Sequence, residues 1–341
     1  MPQEVTINIH DQTGAIQQKG FGLPLIFDPT TDASYEEVTE RSELSGWSDG
    51  DLAYEQANVA LSQEPKVEKV AMYGVDIGAS GTSIADELDD LITEHNTWYW
   101  GILASRTESD INDFSDWIAS KKKIGSAQLD ISTTVSGIET FMGSMENQRM
   151  IISAHDGGID ETDPYLGAGI VGRIAALDPG SYTAKFKSVN TVPATKFQPG
   201  EVSSILSANC NTYVGNLGEL YYSPGVLSNG DFIDTQVAKD WISSRYREGI
   251  FRVLKTQDKI AFDNLGISQI DGVIKSVNKQ ADSRRMVARD ENGNPLMNTE
   301  RPLRSDIPDN DIANRKLSGL KSTIKFGGAI HEVEVDFYLT I

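Results

Sequence analysis

The sequence predicts a mixed fold, α/β plus α+β: an α/β domain over residues 21–180, an α+β domain over 181–329, and an extended strand arm at each end, 1–20 and 330–341. Three observations predict it. Strand-like and helix-like segments alternate through the first half at the spacing of βαβ units. That rhythm stops at Asp178-Pro179-Gly180, a helix-ending turn signal. Both termini alternate polar and apolar residues with period two, as a strand needs.

In order along the chain, residues 3–9 (Gln-Glu-Val-Thr-Ile-Asn-Ile) set Val5, Ile7 and Ile9 on one face. A polar stretch from Asp11, broken by Gly14 and Gly20, tethers this strand to the body. A strand on a tether must find a sheet edge, its own or a neighbour's. Residues 23–27 read as a short buried strand ended by Asp28-Pro29, and 50–63 as a helix with Leu52, Ala53, Ala57, Ala60 and Leu61 apolar. A strand at 67–73 and a Gly/Ser loop at 74–83 precede an amphipathic helix at 84–95. Strands at 98–104, 127–131 and 149–154 then alternate with helices at 110–122, 137–145 and 164–176, which predicts parallel strands.

Past Gly180 the pattern reads as a strand at 182–189, a helix at 199–210, and strand and turn at 211–226. Long helices follow at 235–255 and 268–279, then a hairpin arm from 284–288 turned by Asn292-Gly293. The last stretch, 321–341, ends in an alternating strand whose apolar residues are Ile330, Val333, Val335, Phe337 and Leu339.

Composition bounds the function. At 341 residues and 39% hydrophobic, the chain can bury a core without staples. No apolar run reaches the ~18–20 residues of a membrane span, and Met1-Pro2-Gln3-Glu4 does not open a secretory signal; no membrane partner is expected. The single cysteine, Cys210, allows no intrachain disulfide and no Cys-based zinc cluster, and reads as a small buried side chain. Net charge is −20, and it is uneven. Residues 1–120 hold 5 basic and 23 acidic side chains, a net of −18; residues 231–341 hold 17 of each. So acidic a chain repels phosphate backbones, which argues against nucleic acid as partner. The asymmetry suggests an acidic outward portion and a balanced portion that meets partners.

Three constellations could carry chemistry. Gly74-Val-Asp-Ile-Gly78-Ala-Ser80-Gly81-Thr-Ser joins a strand to a helix, the context of a phosphate loop. It lacks the Gly-Lys-Ser/Thr ending, its glycines do not follow dinucleotide spacing, and Ser80 is not in a Gly-x-Ser-x-Gly elbow. His155-Asp156, with Asp160, Glu161 and Asp163, gathers carboxylates beside a His at the carboxyl end of a strand. It has no second His and no calcium-loop spacing. Asp290-Glu-Asn292-Gly-Asn294 has Pro295 and Arg301 where a calcium loop needs Gly and Glu. The four histidines, His10, His95, His155 and His331, converge on no common motif. No reaction, metal or cofactor is indicated.

Several segments taken in order resemble the sheath subunits of contractile injection machines, such as phage tails and tailocins. They are Tyr182-Thr-Ala-Lys-Phe-Lys, Ala208-Asn-Cys-Asn-Thr-Tyr213, Gly230-Asp-Phe-Ile-Asp234 with Asp240-Trp241-Ile242, residues 260–266, Asp311-Ile-Ala-Asn-Arg315, and Gly327-Gly-Ala-Ile-His331. In the first half, Trp100-Gly-Ile-Leu-Ala-Ser-Arg106 and Asp113-Phe-Ser-Asp-Trp117-Ile are similar to the family's insertion domain. The pattern departs at Ile312, where the family often has Arg, and at Lys316-Leu317, where it often has Pro.

The resemblance implies a non-enzymatic structural subunit with a sheath-type assembly domain. Such subunits form six-fold rings stacked helically around an inner tube protein, meet baseplate and tail terminator proteins, and link through strand arms. It also implies residence in a virion tail assembled in the host bacterial cytoplasm, and contraction that drives the tube through a cell envelope. A weak, charge-paired hold on the tube would suit release, and Arg315, Lys316 and Lys321 are the tube-facing candidates. The rival readings are a non-contractile self-assembling structural protein, and an α/β hydrolase or nucleotide-binding enzyme using the 74–83 and 155–163 loops.

Overall fold

The computed structural model describes residues 20–157 and 163–335. The chain divides into two compact units, one over Lys19–Val237 and one containing Ala238–Ile341.

The larger unit is built on a six-stranded sheet. Its elements run β1 (Pro24–Asp28), β2 (Ala33–Val38), α1 (Leu52–Leu61), β3 (Val70–Gly74), the single turn α2 (Ile77–Ser80) and α3 (Ile84–Glu94). Then come β4 (Trp100–Leu103), α4 (Glu108–Ser120), β5 (Ile124–Gln128), α5 (Val135–Ser144), β6 (Met150–Ser153) and α6 (Leu166–Ala175). The unit closes with α7 (Pro199–Ser207), β7 (Thr212–Asn216) and β8 (Glu219–Ser223). The sheet order is β2-β3-β1-β4-β5-β6, and every pairing is parallel except β2 with β3. The parallel strands therefore stand in the order second, first, third, fourth, fifth, a doubly wound arrangement. The expectation of an α/β unit with parallel strands holds.

Burial explains the sequence pattern. β1, β4, β5 and β6 are buried at every position, and β1, β4 and β6 accordingly read as near-continuous apolar runs rather than alternations. β2, Ala-Ser-Tyr-Glu-Glu-Val, is a half-exposed polar edge strand and gave no apolar signal. β5 begins at Ile124, not 127, and its Gly125 hides the strand from pattern reading. A Cβ at Gly125 would lie 2.6 Å from Met150 Sδ and 3.1 Å from Phe114 of α4, so a side chain there would have to displace its packed neighbours. On the other face α6 is buried almost throughout and lies against α1. A Cβ at Gly172 would meet the Ala60 carbonyl oxygen at 2.5 Å, so the two helices touch backbone to backbone.

The predicted strand at 182–189 is not one. Phe186 has φ 67°, outside the extended region. The segment makes two backbone bonds with β8, Phe186 N to Tyr222 O (3.0 Å) and Tyr222 N to Lys187 O (2.9 Å). The 74–83 loop contains the turn α2, whose Asp76 side chain accepts from the Ala79 amide at 3.0 Å.

Helix α8 (Ile233–Thr256) leads into the smaller unit, which continues with α9 (Asn264–Ser283), β9 (Met297–Glu300), α10 (Asp309–Ala313) and β10 (Lys321–Ile324). Asp263 caps α9 through the Gly266 amide at 2.8 Å. β9 and β10 form an antiparallel pair in the register Lys321↔Glu300 to Ile324↔Met297. The hairpin expected after residue 284 is present in short form: Leu296 N–H donates to Ala288 O (2.7 Å) and Asp290 N–H to Asn294 O (2.9 Å) about an antiparallel Arg289↔Pro295 bridge. There Asp290 accepts from the amides of Asn292 (2.9 Å) and Asn294 (2.8 Å).

Candidate functional site

In the smaller unit, the β9–β10 pair is an unfinished sheet. Each strand has the other as its ladder partner, and neither outer edge is paired among the described residues. Its inward face is fixed from below by a buried polar cluster. Asn278 of α9, 2% exposed, donates to Ser322 Oγ at 3.0 Å and to Thr299 Oγ1 at 3.2 Å. Tyr246 of α8 donates to Asn278 Oδ1 and lies 2.9 Å from Ser322 Oγ. Thr299 and Ser322 face each other across the ladder. One asparagine thus joins both strands to both helices.

Sequence reasoning gave only the helix at 235–255 and missed this cluster. The available signal was Asn278 beside Val277 in the buried set of α9, which also holds Ile267, Ile270, Ile274 and Ala281. A polar residue on an apolar stripe must find partners.

Beyond β10 the chain runs on without regular structure through residue 335, apart from a bridge at Phe326. Ile330, Val333 and Val335 are 77–79% exposed. Val333 and Val335 alternate with Glu332 and Glu334, and Ile330 falls on the opposite strand face; three β-branched side chains left in water are a strand without a sheet. Val5, Ile7, Ile9, Phe337 and Leu339 lie outside the described residues. Arg315 and Lys316 follow α10 and are exposed, and no ion pair holds them among the described residues. Lys321 opens β10 opposite Glu300 on the outward face, so it already has a cross-strand acid beside it.

The loops that might have carried chemistry are occupied internally. His155 is buried: its Nε2–H donates to Pro193 O at 2.9 Å and its Nδ1 accepts from the Gly157 amide at 3.0 Å. These bonds fix the neutral tautomer, and burial holds its pKa below the ordinary imidazole value. Asp156 accepts from Thr195 Oγ1 (3.1 Å) and the Lys196 amide. Arg106 pairs with Asp163. Residues 158–162, with Asp160 and Glu161, lie outside the described residues. Cys210 is fully buried, and burial drives its thiol pKa up.

The Ala208–Tyr213 motif turns out to be an anchor. Asn211 bridges in parallel to Ser153 at the β6 edge. Its side chain donates to Ile152 O (3.0 Å) and Val226 O (2.8 Å) and accepts from the amides of Gly225 (2.9 Å) and Val226 (3.0 Å). All its bonding capacity is used, which roots the β7–β8 hairpin on the sheet.

No protein-family model matches the chain, and no curated protein sequence does. Solved structures do. A chain in the six-fold symmetrised baseplate of the anti-feeding prophage is similar over 100% of both chains, with TM-score 0.70 and 11% identity. A chain of the contracted helical sheath of that particle is similar over 98% of this chain and 99% of its own, with TM-score 0.68 and 10% identity. A chain of the contracted PVC sheath complex, an extracellular contractile injection system, is similar over 99% and 98%, with TM-score 0.69 and 8% identity. The protein has, over its whole length, the fold of contractile-sheath chains. At the level of fold, the resemblance read from the sequence holds.

Proposed function

We propose that this protein is a structural, non-enzymatic subunit of a contractile sheath. It polymerises around an inner tube and contracts to drive that tube through a target cell envelope. The observation that carries this reading is a fold match end to end, at 98% or more of both chains, with chains taken from contracted sheaths. The open-edged β9–β10 pair and the exposed Ile330, Val333 and Val335 support it. A subunit that must slide on its neighbours without leaving them needs a linkage that survives repacking. Strand addition provides one, at about 1 kcal/mol net per backbone bond.

In this reading, residues 3–9 and 330–339 are the intersubunit strands, through Val5, Ile7, Ile9, Ile330, Val333, Val335, Phe337 and Leu339. Arg315, Lys316 and Lys321 face the tube, where exposed ion pairs give register with easy release. The further partners are baseplate and tail terminator proteins, and the place of action is the tail of a phage or tailocin assembled in the bacterial host. The acidic 21–180 region faces outward, where like charges are farthest apart. Electron microscopy of the purified particle tests the whole. Tubes that exist in a long, narrow and a short, wide form are expected; a static lattice or a persistent monomer refutes it.

A further inference from the structure

Two large apolar side chains of the larger unit sit on left-handed backbone at the surface, and both attach to the β7–β8 hairpin. Asn216 pairs with Glu219, which leaves a two-residue loop of Leu217 and Gly218 with φ 52° and 86°. Positive φ at both loop residues defines a type I′ turn, which Asn-Gly fills readily and leucine does not. Leu217 is 97% exposed there. Phe186 (φ 67°) packs its ring 5.3 Å from that of Tyr221 on β8 and is 48% exposed. The hairpin is rooted through Asn211, Tyr213 and Tyr222, all buried, while residues 215–220 are exposed throughout. A scattered surface leucine needs no explanation. A leucine held at the tip of an anchored projection, in a conformation it disfavours, points to a function.

Charge indicates what the hairpin meets. Lys185 and Lys187 flank Phe186, and burial together with the nearby Arg173 holds the Lys187 ammonium below its ordinary pKa. The hairpin itself carries one acid, Glu219. The acid surplus of the chain lies in residues 1–120. Helix α3 exposes Asp86, Asp90 and Glu94 at i, i+4 and i+8 and contains no basic residue. Like charges at that spacing repel one another, and none of the three pairs with a cation among the described residues. The same chain therefore presents both halves of a complementary pair at different places, the requirement for a head-to-tail contact between copies.

We propose that the β7–β8 hairpin is a plug that docks one copy of this chain onto the acidic α3 face of the next. Leu217 and Leu220 are covered in the contact, and Lys185 faces the Asp86/Asp90/Glu94 ridge. The proposal rests on the polymer reading above and adds to the strand arms a second contact.

Leu217→Asn in the full-length chain tests it, because monomer and polymer should respond in opposite directions. Asn suits the I′ turn, so the melting temperature of the dilute monomer stays equal or rises. The critical concentration for assembly, read by sedimentation velocity, rises at least tenfold. Lys185→Glu raises it likewise, and adding Asp90→Lys to that variant restores assembly to within about threefold of the parent. A Leu217→Asn protein that assembles at the parent's concentration overturns the proposal and leaves the sheath reading intact. Loss of assembly by Lys185→Glu without rescue by Asp90→Lys overturns α3 as the acceptor. A parent chain that forms no polymer under any condition removes the sheath reading itself.

Discussion

Replacing Asn278 by Ala should loosen the open β9–β10 pair while the rest of the fold stands. The substitution removes two donated bonds, to Thr299 and Ser322, and the acceptor of the Tyr246 hydroxyl. Thr299 and Ser322 lie near the surface and regain water. Tyr246 is buried but keeps Ser322 at 2.9 Å. Three lost bonds at about 1 kcal/mol each, softened by that rehydration, give a cost of about 2–3 kcal/mol. At 1.4 kcal/mol per decade this is about a 30- to 150-fold loss of amide-exchange protection. The loss should concentrate in Met297–Glu300 and Lys321–Ile324. Tyr246→Phe alone should cost about 1 kcal/mol. The double variant should fall short of the sum by about 0.5 kcal/mol or more, since the two residues share a bond. Hydrogen exchange by mass spectrometry reads the local effect, and urea unfolding reads the total. Protection unchanged in both strands, or strictly additive variants, would refute the idea that this cluster ties the two strands to α8 and α9.

Deleting residues 1–12 should leave a folded chain by circular dichroism that builds no tubes; normal tubes would defeat the arm assignment. Reversing Arg315 and Lys316 to Glu should abolish docking on the inner tube while sheath-to-sheath assembly survives, and docking with unchanged salt sensitivity argues against a charged hold. Gly172→Ala should cost about 1–3 kcal/mol by overpacking, since the added methyl meets backbone atoms of Ala60 rather than a side chain that can turn away; a melting temperature equal to the parent's would count against the close α1–α6 packing. His155 is held neutral by burial, with its folded pKa below the unfolded value. The unfolded chain therefore takes up its proton first, and stability is full above about pH 6.5 and falls as pH drops through the folded pKa. His155→Gln should flatten that fall, measured as the urea midpoint at pH 7.5 against 5.5.

The sequence by itself determined most of the larger unit. Its parallel strands are short apolar runs separated by amphipathic helices, and local periodicity records both. It also determined that the chain is acidic at one end and balanced at the other, and, through the ordered motifs from residue 182 onward, the kinship of fold. Only the tertiary structure decided the rest. The edge strand β2 is polar because it faces water, so no pattern announced it. The segment 182–189 alternates like a strand, yet Phe186 turns left-handed to meet β8, a choice made by contacts with residues more than thirty positions away. The role of Asn278 was illegible for the same reason: its partners, Tyr246, Thr299 and Ser322, come from three separate elements. Ile330, Val333 and Val335 stand exposed among the described residues. Periodicity records which face of a segment is to be buried; what buries it depends on chain that is distant in sequence or belongs to another molecule.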